Sequence, residues 1–116
     1  MSERAIERGD KLHVITRRLF PDDLRRHFVG EVTRVDRNLC ELQGFVFVFH
    51  SGKNEYQRRP DKRTRIYSLA DAGHVVNVLP RQIDVSSLEY RTIDKRLVLT
   101  DMNGYSLDIN EFGPTS

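Results

Sequence analysis

Between Lys53 and Arg65 the chain carries six cations, Lys53, Arg58, Arg59, Lys62, Arg63 and Arg65, against only Glu55 and Asp61. Arginine forks grip phosphate oxygens two at a time, and Tyr56 and Tyr67 flank the cluster as candidate stacking platforms for bases. Together these eight residues form a candidate RNA or DNA contact, whose affinity would fall with salt. Two other uses of the same charges stay open. One is a solvated connection between strands, its Lys and Arg acting as gatekeepers beside the apolar run FVFVF. The other is contact with an acidic protein partner, or with the acidic C-terminal third of a neighbouring copy. That third, Asp84–Ser116, holds three bases and six acids. The net charge of +2 over 116 residues is low for a chain-wide nucleic-acid binder.

Other chemistry has little local support. The four histidines, His13, His27, His50 and His74, show neither HxH nor HExxH spacing, and none has zinc-ligand spacing to Cys40. Cys40, between Leu39 and Glu41 in a strand-like run, fits a small buried hydrophobe better than a nucleophile. GxSxG, P-loop and GxGxxG patterns are absent. The acid pairs Asp22-Asp23 and Asp108–Glu111 fall in a turn and near the end of the chain, where nothing separates their pKa values. A non-enzymatic protein without metal or cofactor is expected. A site assembled from dispersed His, Asp and Arg is the least favoured reading.

The elements that must position these residues are strands. One cysteine gives no disulfide framework. The opening MSERAIERGD lacks the apolar stretch of a secretory signal, and the longest apolar run, Phe45–Phe49, is far short of a membrane span. A cytoplasmic protein with no membrane partner is the expectation. Residues 1–10 are predicted to fray or to form a short helical turn. From Lys11, KLHVITRRLF sets Leu12 and Val14 on one face and His13 and Ile15 on the other. Pro21-Asp22-Asp23 marks a turn. In His27–Asn38, Gly30 suggests a bulge or bend. Leu39–Phe49 is apolar on both faces, with Val46 and Val48 alternating with Phe45, Phe47 and Phe49. Both faces therefore need a cover, from this chain or from another subunit. Thr64–Leu69 and His74–Pro80 are two further strands. SLEYRTID and RLVLTDM follow, and Asn103-Gly104 predicts a type I′ hairpin into YSLDINEF.

The pattern Phe28-x-Gly30-x-Val32-x-x-Val35-Asp36, followed by a turn and a long strand, resembles the bent second strand of the Sm-like version of the SH3-type small barrel. The resemblance covers residues 12–80. It implies a strongly bent barrel and a ring- or dimer-forming module. The family's RNA-binding pattern is not reproduced, since Asn38 lies only two residues after Asp36 and the last loop, SLADAGH, has no Arg-Gly pair. Fold alone does not license function. The predicted molecule is one all-β domain over 1–116: a small strongly bent SH3/Sm-like barrel over 12–80 with an added C-terminal β-hairpin over 84–112. An OB-like barrel or a sandwich is the alternative fold. The expected function is a small binding module that touches RNA or DNA through the loop 53–65. The alternative is a protein-interaction or self-assembling scaffold, a homo-oligomer built on the strand 45–49 and an exposed sheet edge.

Overall fold

The computed structural model describes residues 5–16, 26–50, 52–53, 55–70 and 73–109. Among the described residues nine strands run in chain order: β1 Lys11–Thr16, β2 Arg26–Asp36, β3 Leu39–His50, β4 Glu55–Arg58, β5 Arg63–Ser68, β6 His74–Leu79, β7 Glu89–Ile93, β8 Arg96–Thr100 and β9 Ser106–Asp108. One short 3-10 turn, Val85–Ser87, precedes β7. The expected turn at Pro21–Asp23 lies outside the described residues. The chain is all-β, as its alternation predicts.

The strands form two antiparallel sheets. The first has the order β4-β3-β2-β1-β6, with β5 paired to the other half of the same β3 edge. The second is the meander β7-β8-β9. Among the described residues neither sheet closes on itself, which departs from the predicted barrel. In the C-terminal unit the segments SLEYRTID, RLVLTDM and YSLDINEF contain β7, β8 and β9.

Both faces of the first sheet are covered within the chain, which answers the problem raised by β3. One face carries Leu12, Val14, Phe28, Val32, Cys40, Leu42 and Val46, with Ile6, Val48, Tyr67 and Val76 at its margin. On the opposite face Val29 and Phe47 pack with Leu79, Ile83, Leu88 and Leu99. The meander supplies that second cover. Phe47 is buried to 1% exposure beneath it, and Val46 to 4% on the reverse face. Side chains of this size contribute roughly 1.5–3 kcal/mol each when fully buried. No second subunit is needed to cover Phe45–Phe49.

Local backbone devices set this arrangement. The bulge falls between Val32 and Arg34, not at Gly30. It slips the register by one residue, so Val32 and Val35 reach the same core despite their odd spacing. Gly30 does other work: it pairs with Gly44, where β2 and β3 approach closely. A Cβ on Gly44 would collide with the Val29 carbonyl. The tight type I′ geometry also lies elsewhere than predicted. Asp94 and Lys95, between β7 and β8, take φ of 53° and 66°. At the predicted site Met102 and Gly104 are the positive-φ residues, in a longer loop from Asp101 to Tyr105. Asp101 Oδ1 organises that loop by accepting from the Asn103 and Tyr105 amides.

Candidate functional site

The basic segment is not a structureless loop. Lys53 sits in the turn after β3, its amide donating to the His50 carbonyl at 3.2 Å. Tyr56 and Arg58 lie on β4, Arg63, Arg65 and Tyr67 on β5. Arg59 and Lys62 belong to the short connection, and the Arg59 amide still donates to the Val46 carbonyl at 2.8 Å. Register then separates the cations. Arg58 stands opposite Phe47, on the meander side of the sheet. Arg63, Arg65 and Tyr67 stand opposite Gly44, Leu42 and Cys40, on the other side. One basic stretch of sequence thus becomes two groups on opposite faces.

Half of the predicted site residues are consumed in packing. Arg58 donates to the carbonyls of Ser86 and Leu88 and lies 5.1 Å over the Phe45 ring. Arg65 lies 5.8 Å over the Phe28 ring. Tyr67 is half-buried against the first core, edge-to-face with His74 at 5.1 Å, and burial pushes its phenol pKa up against the opposing pull of Arg65. Tyr56 is half-buried, stacked on His27 at 4.6 Å and tilted against Tyr90 at 4.9 Å. Both tyrosine rings are thus engaged by aromatic neighbours of this chain. Lys53, Arg59, Lys62 and Arg63 remain exposed.

The histidines, dispersed along the sequence, do not all stay apart. His13 and His27, on β1 and β2, place their rings 5.4 Å apart. The Tyr90 hydroxyl, on β7, lies between them, 2.7 Å from His13 Nε2 and in hydrogen-bond contact with His27 Nδ1. Asn77 on β6 donates from Nδ2 to His13 Nδ1 at 3.1 Å. That fixes a direction. With Nδ1 accepting, His13 carries its proton on Nε2 and donates to Tyr90, which donates onward to His27. Burial, and then the charge of His27, hold the His13 imidazole far below its ordinary 6.5, at about 3. Burial, and then Tyr56, push the Tyr90 phenol well above its ordinary range. Both groups are neutral at pH 7. One hint is present in the sequence: His13 alternates with Leu12 and Val14, so the face it shares with Ile15 becomes buried once the sheet is covered on both sides. Tyr90 and Asn77 carry no such hint.

Beside this cluster a groove of about 680 Å³ runs between β4 and β7, with Tyr56, Tyr90 and Phe47 as its floor and Glu55, Arg58 and Arg91 at its rim. Cys40 is fully buried in the first core, and burial, then the charge of Asp10, raise its thiol pKa. Such a thiol is a poor nucleophile. Among the described residues no group of three or more His, Cys, Asp or Glu is placed to hold a metal ion. No helix of the described residues is long and apolar enough to cross a membrane.

The open strands differ in how they are protected. Among the described residues β4, β5, β6, β7 and β9 each pair on one side only. β4, β5, β7 and β9 each contain Glu, Asp or Arg. β6, HVVNVL, contains no Lys, Arg, Asp or Glu. Its Val75 and Val78 are exposed, Val78 to 59%. No protein-family model, curated protein or solved structure matches the chain.

Proposed function

We propose that this chain is a non-enzymatic binding module whose working surface is the open edge of β6, and that the partner is a second copy of the chain. The observation that carries this is that, among the open strands of the described residues, β6 alone contains no Lys, Arg, Asp or Glu. Sheet edges that stay unpaired are normally blunted by charge, proline or a bulge. Among the described residues β6 has none of these from Val75 to Leu79, and it is followed directly by Pro80. Pairing β6 with its own copy about a twofold axis sets a valine-rich strand without Lys, Arg, Asp or Glu against itself and satisfies both edges at once. This reading treats the first sheet as a small SH3-type barrel left open between β5 and β6. Scattering mass tests it: twice 13.6 kDa is expected for the wild type, and 13.6 kDa for Val75→Lys/Val78→Lys. A wild type that is monomeric at millimolar concentration, or a double variant that stays dimeric, contradicts it.

A second reading is favoured by one observation. Arg59, Lys62 and Arg63 are exposed, and no ion pair holds them among the described residues. They would contact RNA or DNA through phosphates, without base stacking. Binding of a labelled single strand at two salt concentrations tests this. Loss of binding in Arg59→Ala/Lys62→Ala/Arg63→Ala supports it, and equal binding by both proteins rejects it.

A further inference from the structure

Among the described residues the two sheets share no backbone ladder. Their described contacts are the second apolar core, the bonds from Arg58 to the Ser86 and Leu88 carbonyls, and the Tyr90 hydroxyl. Tyr90 carries the meander's hydrogen bonds to β1 and β2. Its target, His13, is fully buried.

We infer that the His13–Tyr90–His27 bridge is an acid-sensitive latch: His13 accepts a second proton only when the meander lifts from the first sheet. The groups facing His13 are His27 from β2, Asn77 from β6 and Tyr90 from β7, with Tyr56 of β4 behind them. They are an imidazole, an amide and phenols. None offers a negative charge to an imidazolium. Protonation at Nδ1 also turns the one acceptor that Asn77 meets into a donor, so that two donors oppose each other. The buried site resists the proton, and water must reach it before the proton is held. The low pKa of His13 agrees with this geometry.

The meander is the part that can leave. Among the described residues it is joined to the first sheet through side chains, whereas β1, β2 and β3 are joined by backbone ladders. Its departure uncovers Phe47 and Val29 on one side and Leu88 and Leu99 on the other. The acid form therefore presents an apolar face that the neutral form hides.

Amide hydrogen exchange of the full chain, followed by NMR from pH 7.5 to 4.5 and corrected for intrinsic rates, tests the latch. The opening constant at Tyr90 and Leu99 should rise by up to about tenfold per pH unit below about 6.5. Amides of Val29 and Leu42, in the ladder of β2 and β3, should stay more strongly protected than those of the meander at every pH. His13→Gln should flatten the response of the meander. Meander protection that ignores pH, that equals the protection of β2 and β3 at every pH, or that keeps its slope in His13→Gln overturns the proposal. Should His13→Gln fail to fold, the wild-type ring decides. A His13 resonance that does not titrate while the meander is closed supports the latch. An ordinary titration near 6.5 with the meander still protected overturns it.

Discussion

The Tyr90 hydroxyl lies 2.7 Å from His13 Nε2, joining residues 77 positions apart in the chain and belonging to different sheets. A polar contact of this kind inside an apolar interface fixes one docking arrangement for the meander. It also makes that arrangement depend on the protonation of a buried group.

Replacing Tyr90 with Phe keeps the ring and removes the oxygen that both imidazoles contact. His13 Nε2–H then lacks an acceptor at a fully buried position. Such an orphan costs about 1–3 kcal/mol. Urea unfolding of Tyr90→Phe should show that loss with an unchanged slope against denaturant.

Global stability should fall in acid. His13 binds its second proton near 6.5 when unfolded and only near 3 when folded. The unfolded chain therefore holds more protons between those values. Stability is fully present above 6.5 and falls as pH drops toward 3, by at most ~1.4 kcal/mol per pH unit from this group. Denaturant titrations at pH 7, 6, 5 and 4 measure it, and the decline should be much shallower in His13→Gln.

The strands are largely legible in the sequence because alternation survives in a covered sheet. Leu12 and Val14, or Val46 and Val48, declare a face by spacing alone. The bulge after Val32 is not legible, since a one-residue slip leaves no compositional mark and Gly30 nearby is a stronger false cue. β4 is hidden because Glu55–Arg58 reads as charged loop; its pairing is imposed by β3. The basic segment misleads for the same reason. Six cations adjacent in sequence read as one patch, but antiparallel register sends Arg58 to one face and Arg65 to the other. His13, His27 and Tyr90 meet only through that register and the docking of the meander, neither of which spacing along the chain records.

Gly44→Ala should be among the most damaging small substitutions in the chain. Its Cβ would collide with backbone, at Val29 and Gly30, rather than with a side chain that can turn aside. A loss of at least ~3 kcal/mol is expected, at the upper end of overpacking effects. Thermal unfolding of Gly44→Ala beside Gly104→Ala separates space from backbone strain. Gly104 has φ of 96°, and a Cβ added there would meet nothing within 4 Å, so Gly104→Ala should cost only about 1–2 kcal/mol.

Lys95→Gly should stabilise. Asp94 and Lys95 both occupy the left-handed region in the turn between β7 and β8. Glycine at the second position removes a steric cost of roughly 1 kcal/mol, partly offset by its greater freedom when unfolded. A rise in melting temperature of a few degrees is the expected outcome.

The proposed pairing of β6 is tested most directly at its own backbone. Amide exchange along His74–Leu79 should be followed from millimolar to low micromolar chain. Pairing between copies predicts that the amides on the open side of β6 are protected at high concentration and lose protection on dilution, in step with the mass, while β2 and β3 do not change. Exchange in β6 that is fast at every concentration, or protected at every concentration with a monomer mass, would contradict it.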